Sequence, residues 1–248
     1  MSNFSIIANK YLEINNPISK SKIEQVINLL NLEKNAKVVD IGGGKGLILK
    51  IIFDKYDING LIIEKNSDLL VDIEKNLINY KNNLEIELKS YDEFITENQD
   101  ITFDCIICIG SIQAISNNYE EGIKELSKKL KTGGKLLIGQ GYWKKEPETK
   151  YLENTGINKN ELLKYHENIE IAQKYNFSYL YSITASEDEF DNFEGLFNMA
   201  IKDYCFENKE VNSDEKVVFL ERITKWNNNY VKYGRETMGF ALYLYRKI

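Results

Sequence analysis

Apolar residues come in two rhythms along this chain. Short β-branched runs such as Val38-Val39-Asp40-Ile41 and Leu61-Ile62-Ile63 suit strands covered on both faces, and between them lie longer stretches with helical spacing. The first helix reads from Ile23, Val26, Ile27, Leu29 and Leu30, after an Asn15-Asn16-Pro17 turn with Ser19 or Ser21 as cap, and ends before Asn35. Residues 1–20 hold few periodic apolar positions. Leu47 to Phe53 predicts a helix, Gly60 to Glu64 a second strand, Asp68 to Tyr80 a helix, and Leu84 to Leu88 a third strand near a sheet edge. Phe103 to Ser111 predicts the fourth strand, Tyr119 to Leu130 a helix closed by a left-handed glycine at Gly133-Gly134, and Lys135 to Gln140 the fifth strand. Asn160 to Tyr175 reads as a helix, Phe177 to Thr184 as the sixth strand and Met238 to Tyr245 as the last. Alternating strands and helices of this kind make an α/β sheet with helices on both faces.

Between the last two strands lie about fifty residues, Ala185 to Thr237, with two helical patterns and a concentration of aromatics: Phe190, Phe193, Phe197, Trp226, Tyr230 and Tyr233. Leaving and re-entering the sheet near the strand ends, the segment is expected to be a lid, or else a helical pair packed for stability. The division expected is a single domain over 1–248, with an N-terminal segment at 1–21 and the insertion at 185–237. A small apolar cavity is expected between Tyr142-Trp143 and that insertion.

The densest chemistry sits at Asp40-Ile41-Gly42-Gly43-Gly44-Lys45-Gly46, where the first strand breaks into glycines and opens directly into a helix. A strand, a glycine turn and a helix start together make a nucleotide-type site, because glycines let a ligand approach the backbone. Two common readings fail on spacing. A dinucleotide fingerprint beginning at Gly42 needs a small residue where Leu47 stands, and a phosphate loop needs Ser or Thr where Gly46 stands. Glu64 ends the second strand twenty residues after Gly44, the distance at which an acid in such a unit reaches a ribose diol. At the end of the fourth strand, Ile109-Gly110-Ser111-Ile112-Gln113 lies beside the point where open α/β sheets bind ligands.

Composition narrows the partners. The 248 residues are 43% hydrophobic and carry a net charge of −6, which opposes binding to a phosphate backbone, so nucleic acid is an improbable partner. No stretch approaches the ~20 apolar residues of a membrane span, and the start lacks a leader pattern, so a cytoplasmic protein without membrane contact is expected. Cys105 and Cys108 fall inside an apolar strand pattern and read as buried thiols rather than as a redox or metal pair; no metal site is expected. His166, the one histidine, sits on a helix far from the strand ends and reads as a surface or packing residue.

Asp40, Gly42, Gly44 and Gly46 form an acid-x-Gly-x-Gly-x-Gly motif that resembles the first motif of class I S-adenosylmethionine-dependent methyltransferases. The element order matches over residues 22–248. Asn16-Pro17-Ile18-Ser19, Gly139-Gln140-Gly141-Tyr142-Trp143, Ser186 to Glu194 and Tyr230 to Arg235 look further like a bacterial methyltransferase family of mostly unassigned substrate, which usually carries glutamate where Gln140 stands. The resemblance implies a seven-stranded Rossmann-like sheet of order 3-2-1-4-5-7-6 and the cofactor S-adenosyl-L-methionine. It implies cofactor contacts from Asp40, Gly42, Gly43, Gly44, Gly46, Glu64 with its neighbour Lys65, the group Ser90, Tyr91 and Asp92 near the adenine, and Ile109, Gly110 and Ser111.

Methyl transfer is an in-line displacement that needs positioning and dryness more than a catalytic triad. The candidates to orient or deprotonate an acceptor are Gln113, Tyr142, Trp143, Glu194 and Arg235. The acceptor expected is a small molecule. An RNA or protein acceptor is opposed by the acidic charge and by Ile109-Gly110-Ser111-Ile112 in place of an Asn-Pro-Pro-Tyr type tetrapeptide. A cofactor-binding protein without catalysis stays open.

Overall fold

The computed structural model describes residues 3–207 and 212–248. Its strands are β1 (Ala36–Ile41), β2 (Ile58–Ile63), β3 (Leu84–Glu87), β4 (Phe103–Ile109), β5 (Leu130–Trp143), β6 (Leu163–Lys164), β7 (Phe177–Thr184) and β8 (Met238–Lys247). They form one sheet in the order β3-β2-β1-β4-β5-β8-β7, with the two-residue β6 paired to the end of β5. Leaving β6 aside, this is the expected order 3-2-1-4-5-7-6. All neighbours up to β5 run parallel, and β8 inserts antiparallel between β5 and β7.

The helices are α1 (Asn3–Ala8), α2 (Lys20–Ile27), α3 (Leu47–Phe53), α4 (Leu70–Asn76), α5 (Tyr91–Glu97), α6 (Tyr119–Lys129), α7 (Thr149–Thr155), α8 (Tyr165–Lys174), α9 (Glu187–Glu207), α10 (Ser213–Asn229) and α11 (Arg235–Thr237). Alternation along the central strands sorts the core into two layers. Val39, Ile41, Ile106 and Leu136 face Phe94 of α5, Ile123 and Leu126 of α6 and Ala172 of α8, while Val38, Cys105, Ile107 and Leu137 face Ile23 and Ile27 of α2, Leu49 and Ile52 of α3 and Ile73 of α4. Both strand cysteines are buried and unbridged, as their setting implied.

The departures from the periodic reading have local causes. The helix expected over Asp68 to Tyr80 is broken into a 3-10 turn, Ser67–Leu69, then α4, then a second 3-10 stretch, Ile78–Asn83; only Ile73 and Leu77 of that region are buried, so little packing holds a continuous helix. β5 starts at Leu130 instead of Lys135, directly from α6, and Gly133 at φ +82° is a kink inside the strand rather than a helix cap. A Cβ on Gly134 would lie 2.8 Å from Lys131 O and 2.9 Å from Asp104 O, which explains the glycine there. The helix expected from Asn160 starts only at Tyr165, because Leu163–Lys164 pair with Tyr142–Trp143. Leu29 falls beyond α2 and is exposed.

The larger correction concerns the ends of the chain. Residues 1–20 read as aperiodic, yet Phe4 and Ala8 of α1 are buried against Ile201 and Cys205 of α9 and Ile223 of α10, a third small core. Rings of the insertion meet one another within it. Phe197 lies 6.2 Å from Phe4 and 6.1 Å from Trp226, and Phe4 meets Phe219 edge-on at 5.2 Å.

Candidate active site

The glycine turn connects the buried end of β1 to α3 through three left-handed glycines, Gly42 (φ +68°), Gly44 (φ +57°) and Gly46 (φ +76°). They serve different purposes. A Cβ on Gly42 would lie 2.6 Å from Ser111 Cβ, and one on Gly46 would lie 2.9 Å from Leu77 Cδ1, so these two are demanded by packing. Around Gly44 nothing lies within 4 Å of that position: its α-carbon faces open space.

That space is a cleft of about 410 Å³ across the carboxyl ends of β1, β2 and β4. Of the expected cofactor residues, Gly42, Gly43, Gly44, Glu64, Lys65, Ser90, Tyr91, Ile109, Gly110 and Ser111 line it, as does Gln113 from the acceptor candidates. Glu64 is buried, and its carboxylate spans the turn, accepting from the Gly44 N–H at 3.1 Å and the Asn66 N–H at 2.9 Å. Ser111 Oγ donates to Ile41 O at 2.6 Å and so ties the end of β4 to the start of the turn. Ser90 occupies the position expected near an adenine, but its hydroxyl and N–H are joined to Glu93 in a capping box at the start of α5.

The remaining expected residues stand apart from the cleft wall. Asp40 lies behind Gly43, Gly46 packs on Leu77, and Asp92 is exposed in the first turn of α5. Tyr142 lies edge-on to Tyr165 at 5.3 Å in the layer of α6 and α8. Trp143 is buried with Tyr151 and Tyr233, and its Nε1–H donates to Lys159 O at 2.8 Å. These three rings and Leu162 fill the place where a cavity was expected between β5 and the insertion. Glu194 accepts from Trp226 Nε1–H at 2.6 Å; burial pushes its carboxyl up to about 7 against the pull of that bond. Arg235 pairs with Asp191 at 3.0 Å and Glu187 at 3.2 Å.

A whole wall of the cleft escaped the periodic reading: Glu13, Ile14, Asn15 and Asn16. This strap is held at both ends. Tyr11 OH donates to Asp203 of α9 at 2.9 Å, Lys45 of the glycine turn donates to Leu12 O at 3.0 Å, and Glu189 of α9 accepts from Ser19 N–H and from Lys22. The turn dipeptide Asn16-Pro17 was its one sequence signal, and Asn16 Oδ1 accepts from Ile18 N–H there.

Residues 15–159, more than half of the chain, match the protein family described as mycolic acid cyclopropane synthetase. The chain belongs to that family. With it comes membership of the class I S-adenosylmethionine-dependent methyltransferases, the class the glycine motif resembled, and S-adenosylmethionine as its cofactor. Over 72 residues, 28% of this chain, this member of the family is 38% identical to O-methyltransferase 2 of Dictyostelium discoideum; the match spans 21% of that relative's length. It is 20% identical to the uncharacterized protein YjhP of Escherichia coli over 93% of this chain and 92% of that one. The fold is shared with a methyltransferase from Geobacter sulfurreducens, solved in complex with S-adenosyl-L-homocysteine, at a TM-score of 0.87 and 18% identity, covering 100% of this chain and 99% of that one. No helix among the described residues is long and apolar enough to cross a membrane.

The cleft fits such a cofactor on two observations. Gly44 leaves its approach open beside a buried carboxylate, and behind Gly43 the buried Asp40 Oδ2 has no hydrogen-bond partner.

Proposed function

We propose that this methyltransferase transfers the methyl group of S-adenosylmethionine to a small organic acceptor at the mouth of the Gly44 cleft. The observation that carries the reading is the open face of Gly44 beside the Glu64 carboxylate. Bound there, S-adenosylmethionine supplies a methyl group on a sulfonium, the electrophile of an in-line displacement. Glu64 holds the ribose hydroxyls with the lone pairs that its two backbone bonds leave, since a carboxylate has about four acceptor sites. Ile63, Ile109 and Ala114 give an apolar wall for a flat base, with Tyr91 and Ser90 at its edge. Gln113 and the strap residues Glu13 to Asn16 border the rest of the cleft, where Gln113 can orient an acceptor and the strap can keep water out.

Acidic charge and a cleft of this size support a small acceptor over a nucleic acid. We infer that Trp143, packed on Tyr233, holds the insertion to the sheet, that Glu194 through Trp226 and Arg235 through Asp191 and Glu187 hold the insertion together, and that α9 and α10 with α1 form a cap whose connection to the cleft is the strap. The test is turnover of methyl-labelled S-adenosylmethionine with fractionated metabolite extract. Label in a low-mass product, lost on Gly44→Leu, supports the reading; label in RNA or protein, or cofactor binding without any product, refutes it.

A further inference from the structure

Asp40 opens the glycine motif, yet no donor meets its buried Oδ2. A Cβ on Gly43 would lie 3.0 Å from that oxygen, so the carboxyl sits immediately behind the cleft wall. Among the described residues no cation pairs with it. From β2 the facing group is Glu64, an acid; from β4 they are Cys105 and Cys108, thiols that burial holds protonated; α3 and α4 present Leu49, Ile52 and Ile73 to this layer, with Leu77 just beyond α4; and of the lysines that line the cleft, Lys45 gives its Nζ to Leu12 O, Lys89 pairs with Glu87 and Glu97, and Lys65 is exposed. A carboxylate buried without donor or cation is costly in its charged form, and the cost falls only when a proton or a positive charge arrives.

We propose that Asp40 is a charge-selecting residue: its ionised form favours the positively charged sulfonium cofactor over the neutral thioether product, and it loses a proton as the first binds and regains it as the second takes its place. The inference rests on the cofactor reading above. Burial first, and the neighbouring Glu64 second, push the Asp40 carboxyl up to about 7, so at neutral pH a change of one positive charge in the cleft shifts its protonation. A wall one glycine thick, with low polarisability behind it, transmits that charge better than water would.

The experiment is calorimetric titration of the full chain with S-adenosylmethionine and with S-adenosylhomocysteine, at pH 7, in buffers of different ionisation enthalpy. Wild type is expected to release more protons with S-adenosylmethionine than with S-adenosylhomocysteine, and its preference for the former is expected to rise between pH 6 and 8. Asp40→Asn is expected to remove the difference in proton count and to cut the affinity ratio of the two ligands at least threefold. Equal proton release in wild type, or an unchanged ratio in Asp40→Asn, overturns the proposal while leaving the cofactor reading intact; binding of neither ligand overturns both. Should the variant fail to fold, the wild-type proton counts decide alone.

Discussion

Replacing Glu64 tests how the turn and the ribose share one carboxylate. In the structure this side chain is 7% exposed and accepts from Gly44 N–H and Asn66 N–H, at 3.1 and 2.9 Å. Glu64→Ala leaves both donors unpaired and removes the ribose acceptor. Hydrogen bonds to a charged group contribute about 1.5–3 kcal/mol each, and each 1.4 kcal/mol is tenfold in affinity. Loss of the ribose contacts alone should therefore raise the dissociation constant of S-adenosylhomocysteine at least tenfold. Loss of the backbone contacts should lower the melting temperature by several degrees, at about 2–4 °C per kcal/mol for a chain this long. Glu64→Gln separates the two effects poorly by design: one amide oxygen still accepts, but its NH2 faces a backbone donor, so it should bind no better than Glu64→Ala. Calorimetry gives affinity, and circular dichroism shows that the fold persists. A dissociation constant within twofold of wild type, with the fold intact, would refute the ribose role.

Gly44→Leu should abolish binding by filling the approach, at a stability cost of about 1–2 kcal/mol for a left-handed residue; retained affinity in a calorimetric titration would make the turn structural only. Trp143→Ala should cost about 3–5 kcal/mol in urea unfolding, because it empties the Trp143, Tyr151 and Tyr233 cluster, while S-adenosylhomocysteine affinity stays within threefold; a stable variant with lost turnover would return Trp143 to the acceptor. Glu194→Gln tests a pH dependence. Burial raises this carboxyl from 4.5 to about 7 in the folded state, so the folded protein holds a proton that the unfolded chain has lost, and stability falls as pH rises from about 4.5 to 7. Melting at pH 5 should differ little between wild type and Glu194→Gln, and at pH 8 the variant should be more stable by on the order of 2 kcal/mol; equal melting curves at both pH values would refute the assignment.

The sequence by itself determined what depends on neighbours along the chain. β-branched runs buried on both faces leave few alternatives to a parallel sheet, and the motif from Asp40 to Gly46 specifies its turn through glycines that no other residue replaces cheaply. Glu64 was legible for the same reason: a strand, a helix and a strand of ordinary length carry a strand-end acid back to the turn, and Gly44 N–H meets it.

Tertiary structure decided the rest. Three left-handed glycines look alike in sequence, but only contact with Ser111 and Leu77 distinguishes the two that pack from Gly44, which faces the cleft. Trp143 and Phe197 were legible as aromatics and not as core, because their partners, Tyr233 and Phe4, lie far away in the chain. The strap from Glu13 to Asn16 has no period to read: it is irregular backbone, held by Lys45 at the glycine turn and by Asp203 and Glu189 in α9. Local propensity cannot encode such a segment, since its position is fixed by hydrogen bonds to residues that only the folded sheet and cap bring near.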